Sequence, residues 1–397
     1  MNTNAQYIAN RLAELGIEVY HQSVVGDNAE RLMQAYDLAF KRADLVITTG
    51  GLGPTKDDLT KEVAFEYFGK KAVLHEELLK EIEDYFKKIN MPMSENNKKQ
   101  AFFPEDAIIM KNKNGTAPGC IIEEGEKTVI LLPGPPSEMR PMFDETVMPY
   151  LASKSDVKLV SRYLRIFGIG ESATEDRIID LVDSQSNPTI APYAKDGEVT
   201  LRITARYPKD GPHEDIIEPV VEEIRKRFGD AVYSDDNSSL PEVAARLLLE
   251  KKKTVSVAES CTGGLLSAKL TDIPGISAVF ERCIVTYSNR SKVEELGVRQ
   301  ETLDKYGAVS NETAREMAEG IRRVSGSDIG VSITGIAGPG GGSAEKPVGT
   351  VYIALADKNG SKAQKLELWG ERERIRNVAC LHTFDMIRRY LTGAAEV

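Results

Sequence analysis

The stretch from residue 255 to residue 270, VSVAESCTGGLLSAKL, combines a strand, a turn and the start of a helix. The run VSVA predicts a buried strand, and the pair Gly263 and Gly264 lets the backbone come close to a ligand. Two nucleophile candidates, Ser260 and Cys261, stand side by side in this turn. Because the first N–H groups of a helix have no partner within it, the turn predicts a site for an oxyanion or a phosphate.

Two other predicted strands end in polar residues that are expected to meet this turn. CIVTYSNRSK places Tyr287 at the end of a strand and Lys292 just beyond it, and SITGIAGPGGG places Thr334 at the end of another strand. Ligands bind beyond the carboxyl ends of parallel strands, so these residues are expected to converge with Ser260 on one crevice. No histidine is nearby, and Lys292 is therefore the candidate base if its pKa is lowered enough to leave the amine partly neutral.

Ordinary structural roles stay open for the same residues. Ser260 or Thr262 is a suitable N-cap for the helix that follows, and an isolated lysine such as Lys292 is usually solvated. Cys261 is interpreted as a small packed thiol that points away from the Ser260 side chain. His382, on the last predicted helix, is expected to be buried for structural reasons.

Alternating strand and helix patterns divide the 397 residues into three predicted domains. Residues 1–150 and 238–397 each predict an α/β domain with a parallel sheet, and residues 151–237 predict a small α+β module. The expected fold class is therefore α/β, with two three-layer α/β domains joined by the small module. Within the first domain, residues 17–25 (IEVYHQSVV) are predicted to form a strand.

Composition excludes several classes of function. The net charge is −10, and no predicted domain has the basic surplus that binding to a nucleic acid backbone requires. The sequence contains neither a run of the ~18 apolar residues that a membrane span needs nor a secretory signal. Its four cysteines lack CxxC spacing and its four histidines are scattered. A cytoplasmic protein with reduced thiols, no zinc site and no membrane or nucleic acid partner is expected.

A second glycine-rich turn, GGLGPTKDDLTKE, begins in the first domain at Gly50. Its N–H groups are suited to cradle a pyrophosphate, and Asp57 and Asp58 are candidate ligands of Mg²⁺ or another divalent metal. The residues of this candidate nucleotide site are Gly50, Gly51, Gly53, Thr55 and Asp57. The alternative is that Asp57 or Asp58 only caps the next helix.

Six motifs in order, AESCTGG, TYSNRSK, GAVSNETA, ITGIAGPGG, PVGTVYIAL and GERERIR, resemble the C-terminal domain of the CinA (competence/damage-inducible) family of nicotinamide mononucleotide amidohydrolases. TTGGLGPTKDDLTKE and LLPGPPSEM resemble the molybdopterin-binding-like domain with which full-length members begin. RYLRIFGIGES and APYAKDGEVTLRITA resemble the family's middle module, which is similar to a KH fold. The resemblance covers nearly the whole chain.

The resemblance implies hydrolysis of the carboxamide of nicotinamide mononucleotide, a small nucleotide, to nicotinate mononucleotide and ammonia without a cofactor. Ser260 is then the nucleophile and Lys292 its base, while Tyr287 and Thr334 line the amide site. Arginine is suited to bind the phosphate of the substrate, and one of Arg372, Arg374 and Arg376 is expected to do so. The substrate-binding candidates are Cys261, Thr262, Gly263 and Gly264 in the turn, Gly338, Gly340 and Gly341 in the glycine-rich loop, and Arg372 and Arg374.

The resemblance also implies a homodimer and a second activity in the first domain, metal-dependent cleavage of ADP-ribose. A non-catalytic protein that binds a pterin or a nucleotide is the alternative. Family members begin with a strand and a GTELL-like turn before the segment that matches NTNAQYI, whereas this sequence begins at Met1 within that segment. The first strand of the sheet is therefore expected to be missing, which would leave the backbone groups of its neighbour unpaired.

Overall fold

The computed structural model describes residues 2–209 and 214–394. The chain separates into two compact units, and the boundary between them falls after Val160 and again after Ala205. The first unit holds residues 1–160 and the segment that begins at Arg206, and the second holds the remainder. None of the helices within the described ranges combines the length and the apolar composition that crossing a bilayer requires.

The first unit is built on a four-stranded sheet. Its helices are α1 (Thr3–Ala13), α2 (Ala29–Ala39), α3 (Thr60–Tyr67), α4 (Glu76–Lys88), α5 (Pro136–Met142) and α6 (Met148–Lys154). Its strands are β1 (Leu45–Thr49), β2 (Ala72–Leu74), β3 (Phe102–Pro104), β4 (Ile108–Met110), β5 (Gly119–Glu124) and β6 (Lys127–Leu132). The sheet order is β1-β6-β5-β4, and β2 and β3 form a separate pair.

Alternate residues of β6 bury opposite faces of this sheet. Val129 and Leu131 join a core with α2, α3 and α4, whereas Ile130 and Leu132 join a core with α1, α5 and α6. The first unit therefore has three layers, as predicted. Its sheet is mixed, however, and the expectation of a parallel sheet is wrong. Among the described strands of this sheet only β1 and β6 pair in parallel, whereas β4, β5 and β6 follow one another in antiparallel order.

The strand predicted over residues 17–25 is not formed, since residues 17–27 contain no helix or strand. Val19, Tyr20 and Val24 are exposed. Within the described ranges β1 pairs only with β6, so one edge of β1 has no partner. A strand needs a neighbour to satisfy its N–H and C=O groups, and within the described ranges residues 17–27 pair with no strand.

The second unit begins with a small four-stranded sheet and two helices. Its elements are β7 (Val157–Phe167), α7 (Glu171–Asp183), β8 (Thr189–Lys195), β9 (Glu198–Pro208), α8 (Glu218–Phe228) and β10 (Val232–Ser234). The strand order is β10-β7-β9-β8. Ile178 of α7 and Ile224 of α8 are fully buried, which places both helices on an apolar core.

The rest of the second unit is a larger α/β region. Its helices are α9 (Leu240–Glu250), α10 (Leu265–Thr271), α11 (Asn289–Leu296), α12 (Gln300–Tyr306), α13 (Asn311–Ser325) and α14 (Arg372–Thr392). Its strands are β11 (Val255–Glu259), β12 (Phe280–Val285), β13 (Ile329–Gly335), β14 (Thr350–Asp357) and β15 (Gly360–Glu367). Val255 and Val257 bury one face of the sheet, and Ala258 buries the other.

The order of this five-stranded sheet, β12-β11-β13-β14-β15, determines where the strand ends meet. β12, β11 and β13 are parallel, whereas β14 and β15 form an antiparallel hairpin. This sheet too is mixed, and the expectation of a parallel sheet is wrong for it. The three parallel strands nevertheless end at one edge, so the residues that follow them lie together.

Candidate active site

Ser260 and Lys292 form a hydrogen-bonded pair at this edge of the sheet. The Ser260 N–H donates to the Ile333 carbonyl at 3.0 Å, which fixes the residue at the end of β11. Lys292 lies in α11, whose N-cap Ser288 accepts from the Ser291 N–H. The Lys292 Nζ lies 3.1 Å from the Ser260 Oγ. The side chains of the predicted nucleophile and the predicted base are therefore in direct contact.

Burial changes the proton affinity of the Lys292 amine. The residue is 1% exposed, and besides Ser260 its Nζ donates to the Thr286 carbonyl at 2.7 Å. Neither partner is a carboxylate, so burial dominates and lowers the pKa of Lys292 to about 8. About a tenth of the amine is then neutral at pH 7, and the neutral amine is the form that a general base needs.

Cys261 differs from its neighbour in both position and chemistry. It is buried and belongs to the main apolar core of this region. Burial raises the pKa of the Cys261 thiol to about 11. Because the thiolate is the reactive form of cysteine, this thiol is a poor nucleophile. Ser260 is therefore the better candidate of the two.

The N–H groups of the turn are only partly free. Gly263 donates to the Ser260 carbonyl at 3.1 Å, and Gly264 donates to the Glu259 carboxylate at 2.9 Å. The expectation that the whole 261–264 turn offers donors is therefore wrong, because a buried carboxylate and a tight turn satisfy two of them. Within the described residues, the N–H groups of Cys261 and Thr262 donate to no other residue.

The other two predicted catalytic residues lie on neighbouring segments. Thr334 is next in sequence to Ile333, and its buried hydroxyl donates to the Ala308 carbonyl at 2.8 Å. Tyr287 follows β12 and is 65% exposed. Its hydroxyl accepts from Arg372 Nη2 at 3.3 Å. Thr334 is thus a buried neighbour of the serine, whereas Tyr287 lies at the solvent side.

The arginines near the start of α14 point in different directions. Arg372 Nη1 donates to the Gly338 carbonyl, and Arg376 Nη2 donates to the Thr262 carbonyl, each at 2.6 Å. Arg374 instead donates from Nε to Asp196 at 2.7 Å and stacks on Trp369, with its guanidinium carbon 3.7 Å from the ring centroid.

Arg376 contacts the turn after Ser260 directly, whereas Arg374 does not. The Arg376 Nε is buried and, among the described residues, has no hydrogen-bond partner, and the same holds for the Thr262 hydroxyl. Arg372 and Arg376 line one surface depression of about 550 Å³. The other residues that line this depression are Leu265, Glu371, Glu373 and Asn377.

The glycine-rich loop after β13 meets the site through a carbonyl oxygen. Gly338 and Gly341 adopt left-handed backbone angles, with φ of 78° and 86°, and Gly340 and Gly341 are exposed. Gly338 directs a carbonyl oxygen, an acceptor, at Arg372. The loop therefore contacts the site through Arg372.

The predicted nucleotide site of the first unit is a compact loop after β1. Gly50 and Gly51 have φ of 94° and 68°, and a Cβ at Gly51 would lie 2.0 Å from the Thr60 hydroxyl. Likewise, a Cβ at Gly53 would lie 2.5 Å from the Asp58 carboxylate. The glycines here are required by this tight packing of the loop against the start of α3.

The Asp58 carboxylate is used within the same loop. It accepts from the Thr55 N–H at 3.0 Å and from the Thr55 hydroxyl at 2.5 Å. Neither Asp57 nor Asp58 caps α3, which begins at Thr60 after Leu59. In the ranges 2–209 and 214–394, no three His, Cys, Asp or Glu residues are grouped so as to hold a metal ion. A divalent cation at Asp57 and Asp58 therefore stays a prediction.

Three residues of the site were missed or undervalued by the sequence analysis. Glu259 is fully buried directly before the serine. Thr286, whose carbonyl accepts from Lys292, is also fully buried, and its hydroxyl has no partner among the described residues. Arg376 was one of three equivalent arginine candidates. A signal existed for Glu259 alone, because an acidic residue just before a glycine-rich helix start is suited to accept from the N–H groups of that helix. His382 packs edge-to-face on Phe167 at 4.9 Å, as a structural residue does.

The fold and the site define a class of protein: a multidomain α/β protein with a buried serine–lysine pair at the ends of parallel strands. Three family models match the chain in order. They are described as "Probable molybdopterin binding domain" over residues 1–153, "Damage-inducible protein CinA KH domain" over residues 161–234 and "CinA C-terminal domain" over residues 237–391.

Relatives match along almost the entire length. A protein of Clostridium novyi is 59% identical over 98% of this chain and 94% of its own, and one of Acetivibrio thermocellus is 57% identical over the same shares. Their names refer to competence and damage inducibility and state no reaction. The chain belongs to the CinA family. A crystal structure of competence/damage inducible protein CihA from Agrobacterium tumefaciens is 42% identical and covers 39% of this chain and 97% of its own, with a TM-score of 0.37.

Proposed function

We propose that this protein hydrolyses the carboxamide of nicotinamide mononucleotide to nicotinate mononucleotide and ammonia. The observation that carries the proposal is the 3.1 Å contact between the Ser260 Oγ and the buried Lys292 Nζ. A hydroxyl beside a partly neutral amine is the arrangement of an activated nucleophile. The family resemblance supplies the identity of the amide.

In the first half of the reaction, the neutral Lys292 amine takes the proton of the Ser260 hydroxyl while the Oγ attacks the carboxamide carbon. The negative charge that develops on the amide oxygen is stabilised by the N–H groups of Cys261 and Thr262. The C–N bond then breaks, and the Lys292 ammonium gives its proton to the departing NH₂ group, which leaves as ammonia. An ester between Ser260 and the nicotinoyl group remains.

In the second half, a water molecule attacks the ester carbon and Lys292 accepts its proton. The bond to the Ser260 Oγ breaks, and the same proton returns to that oxygen. The released acid gives its remaining proton to the solvent and becomes the nicotinate carboxylate, and the enzyme is restored. In each half the lysine acts first as a base and then as an acid, which requires a pKa near the working pH. The pKa of Lys292, lowered to about 8, meets this requirement.

The depression beside the turn is suited to the phosphate end of the substrate. Arg372 and Arg376 line it, and Arg376 also contacts the Thr262 carbonyl within the catalytic turn. A guanidinium can bind a phosphate through two parallel N–H bonds. Arg374 is less suited to this task, since it already forms an ion pair with Asp196.

The test is to incubate the purified protein with nicotinamide mononucleotide and to measure ammonia and nicotinate mononucleotide. We expect one equivalent of each, and a loss of about 10³-fold or more for Ser260→Ala. Ser332→Ala is the matched control, because Ser332 is also buried on this sheet but donates to the Ala314 carbonyl on the side of α13. It is expected to keep its activity once corrected for the fraction of folded protein.

The same assay separates the alternatives. Incubation with ADP-ribose and Mg²⁺, followed by measurement of AMP, tests the metal-dependent pyrophosphatase implied for the first unit. If nicotinamide mononucleotide releases no ammonia, or if Ser260→Ala releases it at the wild-type rate, the proposal is wrong. A chelator is expected to leave ammonia release unchanged, since no step uses a metal.

A further inference from the structure

Glu259 has a role that neither the sequence motif nor the Ser260–Lys292 chemistry assigns. It is the last residue of β11, directly before Ser260, and it is 0% exposed. Its carboxylate accepts from the N–H groups of Gly264 at 2.9 Å, Leu266 at 3.2 Å and Ser267 at 2.9 Å. It also accepts from the Ser267 hydroxyl at 2.6 Å and from the Cys283 thiol at 3.7 Å.

These contacts compensate the burial of the Glu259 carboxylate, which forms no ion pair with any described residue. Removing a carboxylate from water is costly unless hydrogen bonds replace the lost solvation, and bonds from N–H groups at a helix start are among the strongest. The described groups that donate to the Glu259 carboxylate lie in the turn, in α10 and on β12. These hydrogen bonds therefore stabilise the conformation of the segment that carries Ser260.

The N–H groups of the turn fall into two sets, those that donate to another residue and those that do not. The Ser260 N–H is bound to Ile333, the Gly263 N–H to the Ser260 carbonyl and the Gly264 N–H to Glu259. Only the N–H groups of Cys261 and Thr262 are left without another residue as a partner, within the described residues. Both residues directly follow Ser260 in the chain, so their N–H groups are the candidate donors to the oxyanion of the proposed reaction.

We propose that Glu259 is a positioning residue, which anchors the turn to α10 and β12 so that the Cys261 and Thr262 N–H groups remain directed at the oxyanion; this inference rests on the proposed function. The residue touches no substrate. It acts through the backbone of the turn, so its loss is expected to misplace the serine and both donors together. A displacement of 1 Å at a reacting centre can cost on the order of 10²-fold in rate.

The test replaces Glu259 by glutamine, which keeps the size of the side chain. The amide NH₂ group then faces backbone N–H groups on one side, so at least one contact becomes a repulsion between donors. We expect the kcat of Glu259→Gln to fall on the order of 10²-fold. The KM and the pH midpoint of activity are expected to stay near their wild-type values, because the arginines and Lys292 are unchanged.

A matched control separates positioning from general stability. Glu242 also caps a helix of the same region, and its carboxylate accepts from the Ser239 N–H and hydroxyl at 2.6 Å each. Glu242→Gln removes a cap of this kind away from the turn, so it is expected to lower stability and leave kcat unchanged. A wild-type kcat in folded Glu259→Gln, or an equal fall in both variants, would overturn the proposal.

A second variant covers the case in which Glu259→Gln does not fold. Ser267→Ala removes only the hydroxyl that donates to Glu259 and keeps the carboxylate with its backbone bonds. It is expected to fold and to lose several-fold in kcat at constant KM. An unchanged kcat for Ser267→Ala would then overturn the proposal.

The rate at which a fluorophosphonate probe labels Ser260 provides a readout that does not depend on the natural substrate. Labelling is expected in the wild type, to be slowed in Glu259→Gln and to be absent in Ser260→Ala. If the wild type is labelled but releases no ammonia from nicotinamide mononucleotide, the proposed function fails, and the slower labelling still supports the role of Glu259. If Glu259→Gln is labelled as fast as Glu242→Gln, the role of Glu259 fails by itself.

Discussion

Replacing Lys292 by methionine tests the electrostatic basis of the site. The amine is buried with two neutral partners, and its pKa is lowered from 10.5 to about 8. Methionine has a similar length and no charge, so the substitution removes the titration and fills the same space. Each pKa unit corresponds to about 1.4 kcal/mol of free energy. Protonated Lys292 therefore costs the folded state about 3 kcal/mol relative to the same group in water.

The sign of the pH dependence follows from proton binding. Between pH 8 and 10.5 the unfolded chain holds more protons at this residue than the folded protein does. The contribution of Lys292 to the free energy of unfolding therefore becomes more favourable as the pH rises through this window. From pH 7 to pH 9.5 the wild type is expected to gain about 2 kcal/mol relative to Lys292→Met. The hydrogen bonds lost in the variant do not depend on this titration, so they shift its stability by a constant amount.

The assay is guanidinium unfolding followed by the fluorescence of Trp369, the only tryptophan in the chain. Trp369 lies between β15 and α14, so the signal reports on the region that holds the site. Lys251→Met, at an exposed position after α9, is the control and is expected to show the wild-type pH dependence. A difference between wild type and Lys292→Met that stays constant from pH 7 to pH 9.5 would refute the lowered pKa.

Activity provides the second readout of the same variant. The kcat/KM of the wild type is expected to rise with pH and to level off above an apparent pKa near 8, because the neutral amine is the active form. Lys292→Met is expected to lose at least about 10²-fold. A flat profile from pH 6 to pH 9 would show that the base is another group.

Three further predictions follow from the site. Cys261→Ala should lose less than tenfold in kcat, because burial raises the pKa of the Cys261 thiol to about 11. Ser260→Ala should lose about 10³-fold in the same assay. A larger loss in Cys261→Ala would make the cysteine the nucleophile. Measured by initial rates, Arg376→Ala should raise the KM for nicotinamide mononucleotide about tenfold or more, and Arg374→Ala should raise it much less. The reverse order would place the phosphate at Arg374, beside Trp369. Iodoacetamide at pH 7.5 should leave Cys261, Cys120 and Cys380 unmodified in the folded protein by mass spectrometry, because all three thiols are buried with raised pKa values.

The sequence predicted those features that depend on neighbouring residues along the chain. Periodicity and turn residues placed β11, the turn at Ser260 and the long closing helix close to their observed bounds. The prediction failed where a partner was needed, as for residues 17–25, because a strand depends on a neighbour that its own sequence does not specify. The antiparallel strands of both sheets were missed for the same reason.

The contact between Ser260 and Lys292 could be inferred from sequence only as a hypothesis. The two residues are 32 positions apart, and their proximity follows from the parallel pairing of β11 with β12 and β13. The lowered pKa of Lys292 likewise depends on burial by residues from several elements. Exposure and distance are properties of packing, and identical motifs on an open surface would leave the lysine charged.

By itself, then, the sequence determined the order of the elements, the residues that end each strand and the glycines that shape the turn, since these depend on local backbone preference and periodicity. Only the folded structure shows that Glu259 accepts from the Gly264 N–H, whereas the N–H groups of Cys261 and Thr262 have no other described residue as a partner. Tertiary structure also decided that Arg376 points into the site while Arg374 pairs with Asp196. The physical reason is that hydrogen-bond partners and burial are set by residues distant in the chain, which only the folded packing brings together.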